Sequence, residues 1–208
     1  MSNLYQTFLK SVISTQQLGG YKAELRFAPV EDFDMINYPA TPTYIGDSKL
    51  VTTADTFITG KGYNVLPAKM HSVTSKTTSA GDDGAQSLNH EFEAVVLGDS
   101  ATHMDTFEKM LNDNCVFLIK DQDCINGQFV RFGDDCLTPV IKVTFDGKTT
   151  KEGKKEYKIV GTIKGHKVFY TATVTTISDT SILPDGETYS ISEDGDRMIT
   201  EDGDFLIN

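Results

Sequence analysis

The chain contains no tryptophan, only three cysteines, and 19 lysines and arginines against 30 aspartates and glutamates in 208 residues. The cysteines, Cys115, Cys124 and Cys136, are odd in number and have no CxxC spacing. That excludes a disulfide framework and a four-cysteine zinc site, and it suits a reducing compartment. The shortage of positive charge, a formal net charge of −11, argues against binding nucleic acid through neutralised phosphates, which takes a basic face. No apolar run approaches the ~18 residues that a membrane-spanning helix needs. Met1 leads into Ser2-Asn3-Leu4-Tyr5 and not into a basic segment followed by an apolar run, so no signal peptide is expected. What is present, 38% hydrophobic residues with 12 Phe and 8 Tyr, is enough to close the core of one domain with a small appendage.

The negative charge is unevenly placed. Residues 178–208 hold nine acids and one base, Arg197, for −8, while residues 1–177 hold 21 acids and 18 bases, for −3. Within the latter, 142–167 carries eight lysines against Asp146, Glu152 and Glu156, for +5. Such asymmetry bears on contacts and not on fold. It suggests two parts, a body at 1–177 and an acidic extension at 178–208.

Periodicity gives the elements. Leu4, Phe8 and Val12 recur at helical spacing before Gly19-Gly20, predicting a helix at about 3–16. Tyr21, Ala23, Leu25 and Phe27 alternate with polar residues as in a half-buried strand. Residues 29–62, with Pro29, Pro39, Pro42, Gly46, Gly60 and Gly62, form a long excursion without periodicity, of the kind that is functional or ordered by a partner. Strands are expected at about 64–74 and, after a polar linker at 77–84, at 88–97. Asp99 or Ser100 caps a helix at about 101–113, with Met104, Phe107, Met110 and Leu111 facing inward. Strands then follow at 115–120, 128–132, 140–145, 156–163 and 167–175, with Asn126-Gly127, Asp146-Gly147 and Lys164-Gly165 as tight hairpin turns. The fold class is α+β, mainly β: an antiparallel sandwich or barrel with one packed helix. Ser192-Glu193-Asp194-Gly195-Asp196 recurs as Thr200-Glu201-Asp202-Gly203-Asp204, predicting a small meander with Asp-Gly turns.

Motifs that carry chemistry fail on inspection. Gly98-Asp99-Ser100 resembles the nucleophile block of SGNH-type lipases and esterases, which needs a late Asp-x-x-His. Ser100 precedes His103 and Ile163 precedes His166 at that spacing, so Ser100 reads as a helix cap and no catalytic residue is expected. Asp121-Gln122-Asp123 begins like a calcium loop but offers Ile125, Asn126 and Phe132 where ligands and a glycine belong. The acidic turns of the tail read as solvated, with Ca²⁺ capture as the alternative. His71, His90, His103 and His166 lack ligand spacing, and no GxGxxG or GxxxxGK[ST] cradle is present, so no cofactor or metal is expected. The lysines of 148–155 read as a solvated hairpin tip, with an intersubunit electrostatic contact as the sharper alternative.

The order of elements resembles that of tail-tube-type and tail-neck virion structural proteins of tailed bacteriophages: a strand, a long Pro/Gly excursion, strands flanking one helix, then close hairpins ending in Lys167-Val168-Phe169-Tyr170-Thr171-Ala172. The terminal Met198-Ile199-Thr200-Glu201-Asp202-Gly203-Asp204-Phe205-Leu206-Ile207 is similar to repeats at the ends of such proteins. The resemblance covers roughly residues 21–208 and rests on short motifs. It implies a non-enzymatic subunit, assembled in the bacterial host cytoplasm and resident in the virion tail. Such a subunit forms homo-oligomeric rings, hexameric in the family, and stacks them into a tube for DNA passage with other tail or neck proteins as partners. The 29–62 loop is then the element that reaches a neighbouring ring, and the acids of 31–141 are candidates for a lumen. A second reading is a β-sandwich module that binds carbohydrate or a cell surface through Tyr38, Tyr44 and Tyr63.

Overall fold

Alternating apolar side chains generate strands here, and the places where alternation stops are those where both faces of a strand are covered. The computed structural model describes residues 20–41, 47–82, 85–122, 128–147 and 155–177, with the pairs 190–191, 197–198, 200–201 and 204–205. The expected helix at 3–16, the Asn126-Gly127 turn, the lysines of 148–154 and the Asp-Gly turns lie outside the described residues. The chain divides into two compact units, Met1–Thr176 and Ile177–Asn208.

In the first unit the elements run β1 (Tyr21–Pro29), β2 (Phe33–Met35), β3 (Leu50–Val51), β4 (Thr56–Phe57), β5 (Asn64–Pro67), β6 (Thr74–Ala80), β7 (Ser87–Leu97) and α1 (Ala101–Asn112). They continue with β8 (Cys115–Asp121), β9 (Phe129–Phe132), β10 (Val140–Gly147), β11 (Lys155–Lys164) and β12 (Lys167–Tyr170). Two sheets form, a six-stranded one in the order β3-β12-β9-β8-β1-β5 and a four-stranded one in the order β10-β11-β7-β6. Every pairing in them is antiparallel except β3 with β12. The sheets face each other across one core: Phe92 of β7 lies 5.0 Å from Phe117 of β8 and 4.9 Å from Phe132 of β9, ring centre to ring centre. The result is an open sandwich; the barrel alternative falls because neither sheet closes on itself.

The six-stranded sheet is buried on both faces. Cys115, Phe117 and Ile119 of β8 enter the core between the sheets, while Val116 and Leu118 enter a second core with Ile36, Val51, Tyr63 and Tyr170. Double coverage is why Cys115–Ile119 reads as an unbroken apolar run. The cover on the second face is the excursion, whose Phe33 and Phe57 rings lie 4.4 Å apart, tilted by 31°, and both meet Tyr63 edge-on. Burial of each such side chain contributes roughly 1.5–3 kcal/mol. The described parts of 29–62 thus pack onto their own sheet.

Several expected boundaries move. The strand expected at 64–74 is two strands in different sheets, joined by a crossing at 68–73 in which Ala68 N–H donates to Ala23 O and Lys69 N–H to Val95 O. Thr77–Ala80, expected as linker, belongs to β6; an edge strand with little to bury needs no apolar alternation. β10 runs through the expected Asp146-Gly147 turn, pairing Asp146 with Glu156 and Gly147 with Lys155. Gly165 takes φ +81°, as a turn requires, but it turns the corner from one sheet to the other and closes no hairpin. β12 ends at Tyr170 and not at 175. In α1 only Phe107 and Met110 are buried, whereas Met104 and Leu111 are half-exposed, because the helix meets the sandwich along the stripe of His103, Phe107 and Met110, the first two beside the Tyr157 ring. In the second unit, β13 (Ser190–Ile191) pairs antiparallel with β14 (Arg197–Met198) and β15 (Thr200–Glu201) with β16 (Asp204–Phe205), among the described residues of the stretch expected as a meander.

Candidate functional site

β9 reads Phe129-Val130-Arg131-Phe132 and is buried throughout, so its arginine has to find a partner inside the protein. Asp55, delivered by the excursion 76 residues earlier in sequence, supplies it. Arg131 Nη1 donates to both Asp55 oxygens at 2.9 and 3.2 Å, with side-chain exposures of 1% and 0%. Tyr63 Oη donates to Asp55 Oδ2, Asp55 N–H donates to Tyr170 Oη at 2.7 Å, and Arg131 Nη2 donates to Asn37 O. Asn37 N–H in turn donates to Asp55 Oδ1. Burial drives the phenol of Tyr63 well above its ordinary range and pushes that of Tyr170 up to about 12. Enclosed in this way, the network pins the excursion to the sheet. Its sequence signal is the single charge within a run of bulky apolar residues.

Beyond β9, Gly133 (φ +94°) opens a loop that carries the chain from one sheet to the other; a Cβ there would lie 2.8 Å from Pro139 Cδ. Asp134 fixes this loop, accepting from Cys136 N–H and Leu137 N–H at 2.9 Å each and from His166 Nδ1. Asp134, Asp135 and Cys136 bring ligand atoms within 4.8 Å of one another, but the oxygens of Asp134 are already engaged. The loop borders a groove of about 450 Å³ lined by Val30, Phe33, Asp34, Met35, Ile36, Tyr38 and Asp135. Tyr38 Oη and Cys136 Sγ stand 3.7 Å apart at its end. Tyr63, expected as part of an aromatic platform, is fully buried, Tyr44 is outside the described residues, and Tyr38 is exposed.

Ser100, of the Gly98-Asp99-Ser100 block, is the N-cap of α1, and its Oγ accepts from His103 N–H at 3.2 Å. Next to it, Asp99 accepts from Lys155 Nζ at 2.9 Å and Tyr157 Oη at 3.1 Å, and these hydrogen bonds hold its carboxyl below the usual range. His90 is buried beside Thr77 Oγ1 at 2.9 Å, and His71 takes φ +61° in the 68–73 crossing. The histidines are therefore spread over separate parts of the first unit.

The four-stranded sheet ends in β6, of seven residues, on one side and β10, of eight, on the other. Neither has a neighbouring strand on its outer side among the described residues. The sheet's solvent face alternates charges, with Lys158 Nζ 2.8 Å from Glu93 Oε1. Among the described residues, no helix is long and apolar enough to cross a membrane. Comparison of the chain with protein-family models, curated proteins and solved structures gives no match.

Proposed function

We propose that the chain is a non-enzymatic structural subunit of a tailed-phage virion, tail-tube-like, which works by assembling with copies of itself into rings, six to a ring by family resemblance. The observation that carries this reading is the pair of long edge strands on the four-stranded sheet. A strand edge presents a row of backbone donors and acceptors that another strand can satisfy, and soluble proteins generally cover or blunt such edges. Here one edge is at β6 and the other at β10, on opposite sides of one sheet. An interface that joins unlike edges is heterologous, and it generates a ring if the rotation closes.

The experiment is to charge one edge. Val140 is 65% exposed and Thr144 is also exposed, so Val140→Lys/Thr144→Lys adds two cations beside Lys142 at little cost to the fold. The expected outcome is an unchanged melting temperature to within a few degrees and loss of high-mass species in sedimentation velocity. Assembly at wild-type level in the double variant rejects the β10 edge as the contact.

A further inference from the structure

The groove beside the β9–β10 loop combines an exposed aromatic ring, a flexible thioether and two carboxylates. Tyr38 is 48% and Met35 52% exposed, and Asp34 and Asp135 are exposed on its walls. Neither carboxylate has a basic partner among the described residues: Asp34 Oδ2 accepts only a long hydrogen bond from Thr56 Oγ1, at 3.4 Å. The charge of Asp135 is felt next door, where it raises the pKa of the Cys136 thiol.

The walls are rigid. Asn37, between Ile36 and Tyr38, is fixed through its N–H to Asp55, through its carbonyl from Arg131 and through its side chain to Ala54 O at 2.7 Å. Asp134, next to Asp135, is fixed by His166 and two backbone N–H groups. A binding surface whose neighbours are already locked loses little entropy on occupation.

We propose that this groove binds an arginine side chain presented by a partner polypeptide. Charge complementarity selects a cation. The planar guanidinium can lie on the Tyr38 ring while its N–H groups reach the two carboxylates, and its hydrophobic stem matches Met35 and Phe33; an ammonium offers no such fork. A sugar stacks on tyrosine but leaves both carboxylates unneutralised. The inference is independent of the assembly reading.

The test is methyl NMR of the full chain, following the Met35 methyl during titration with acetyl-arginine amide and with its neutral isostere acetyl-citrulline amide. The expected result is a saturable Met35 shift with the arginine compound alone, its apparent affinity falling about tenfold in Asp34→Asn/Asp135→Asn. Both aspartates are exposed, so the double variant retains the fold, as the other methyl signals will report. No saturable shift, an equal response to citrulline, or an affinity unchanged by the double substitution overturns the proposal, and so does a Met35 response to maltose in place of arginine.

Discussion

At the scale of the residue, the fold depends most on Asp55 and Arg131. Removing one member of a buried pair leaves the other charge unpaired in the interior, at a cost of about 3–5 kcal/mol. Asp55→Ala is therefore expected to lower unfolding free energy by that amount in guanidinium titrations, and Asp55→Ala/Arg131→Met to recover much of it. A loss below about 1 kcal/mol in the single variant would show that the pair is not what pins the excursion. His90 gives a pH dependence. Burial first, then the charges of Lys167 and Lys49, lower its pKa from the ordinary 6.5. Below that value the unfolded chain takes up a proton that the native imidazole refuses, so stability is full above about pH 6.5 and declines as pH falls through the lower native pKa. His90→Gln should flatten this slope below about pH 6.5; an unchanged slope assigns it to other groups. The sequence placed Arg131 in a strand but gave no hint of Asp55, because the partner comes from a stretch without periodicity.

At the scale of the element, Gly161 of β11 faces Phe92 of β7, and a Cβ there would lie 2.2 Å from the ring. The glycine is a bare patch over which the aromatic lies to reach Phe117 and Phe132. Gly161→Ala is expected to cost about 1–3 kcal/mol by displacing Phe92, seen as a lower denaturation midpoint; a neutral substitution would mean that the ring moves freely. Elements with one buried face were legible: β7 and β11 follow their alternation, and α1 begins at the serine its capping chemistry selects. β6 was not, since an edge strand of Thr and Ser has the composition of a linker. The β5–β6 crossing was missed because apolar residues continue on both sides of it while the sheet they belong to changes.

At the scale of the molecule, the net charge of −11 describes neither part. The first unit is an open two-sheet sandwich, and the acids of 178–208 belong to a separate unit. The fold class was legible because alternation, turn residues and one capped helix agree with one another. The groove at Tyr38 was not, because Asp34 and Asp135 are brought together by the excursion folding back, a tertiary event with no local code. The proposed self-association runs through the edges of the four-stranded sheet. Sedimentation velocity with negative-stain microscopy on the full chain, over rising concentration up to the solubility limit, tests it most directly. Closed rings or stacked tubes whose fraction grows with concentration are the expected outcome; a single monomeric species without rings throughout that range rules out assembly through these edges.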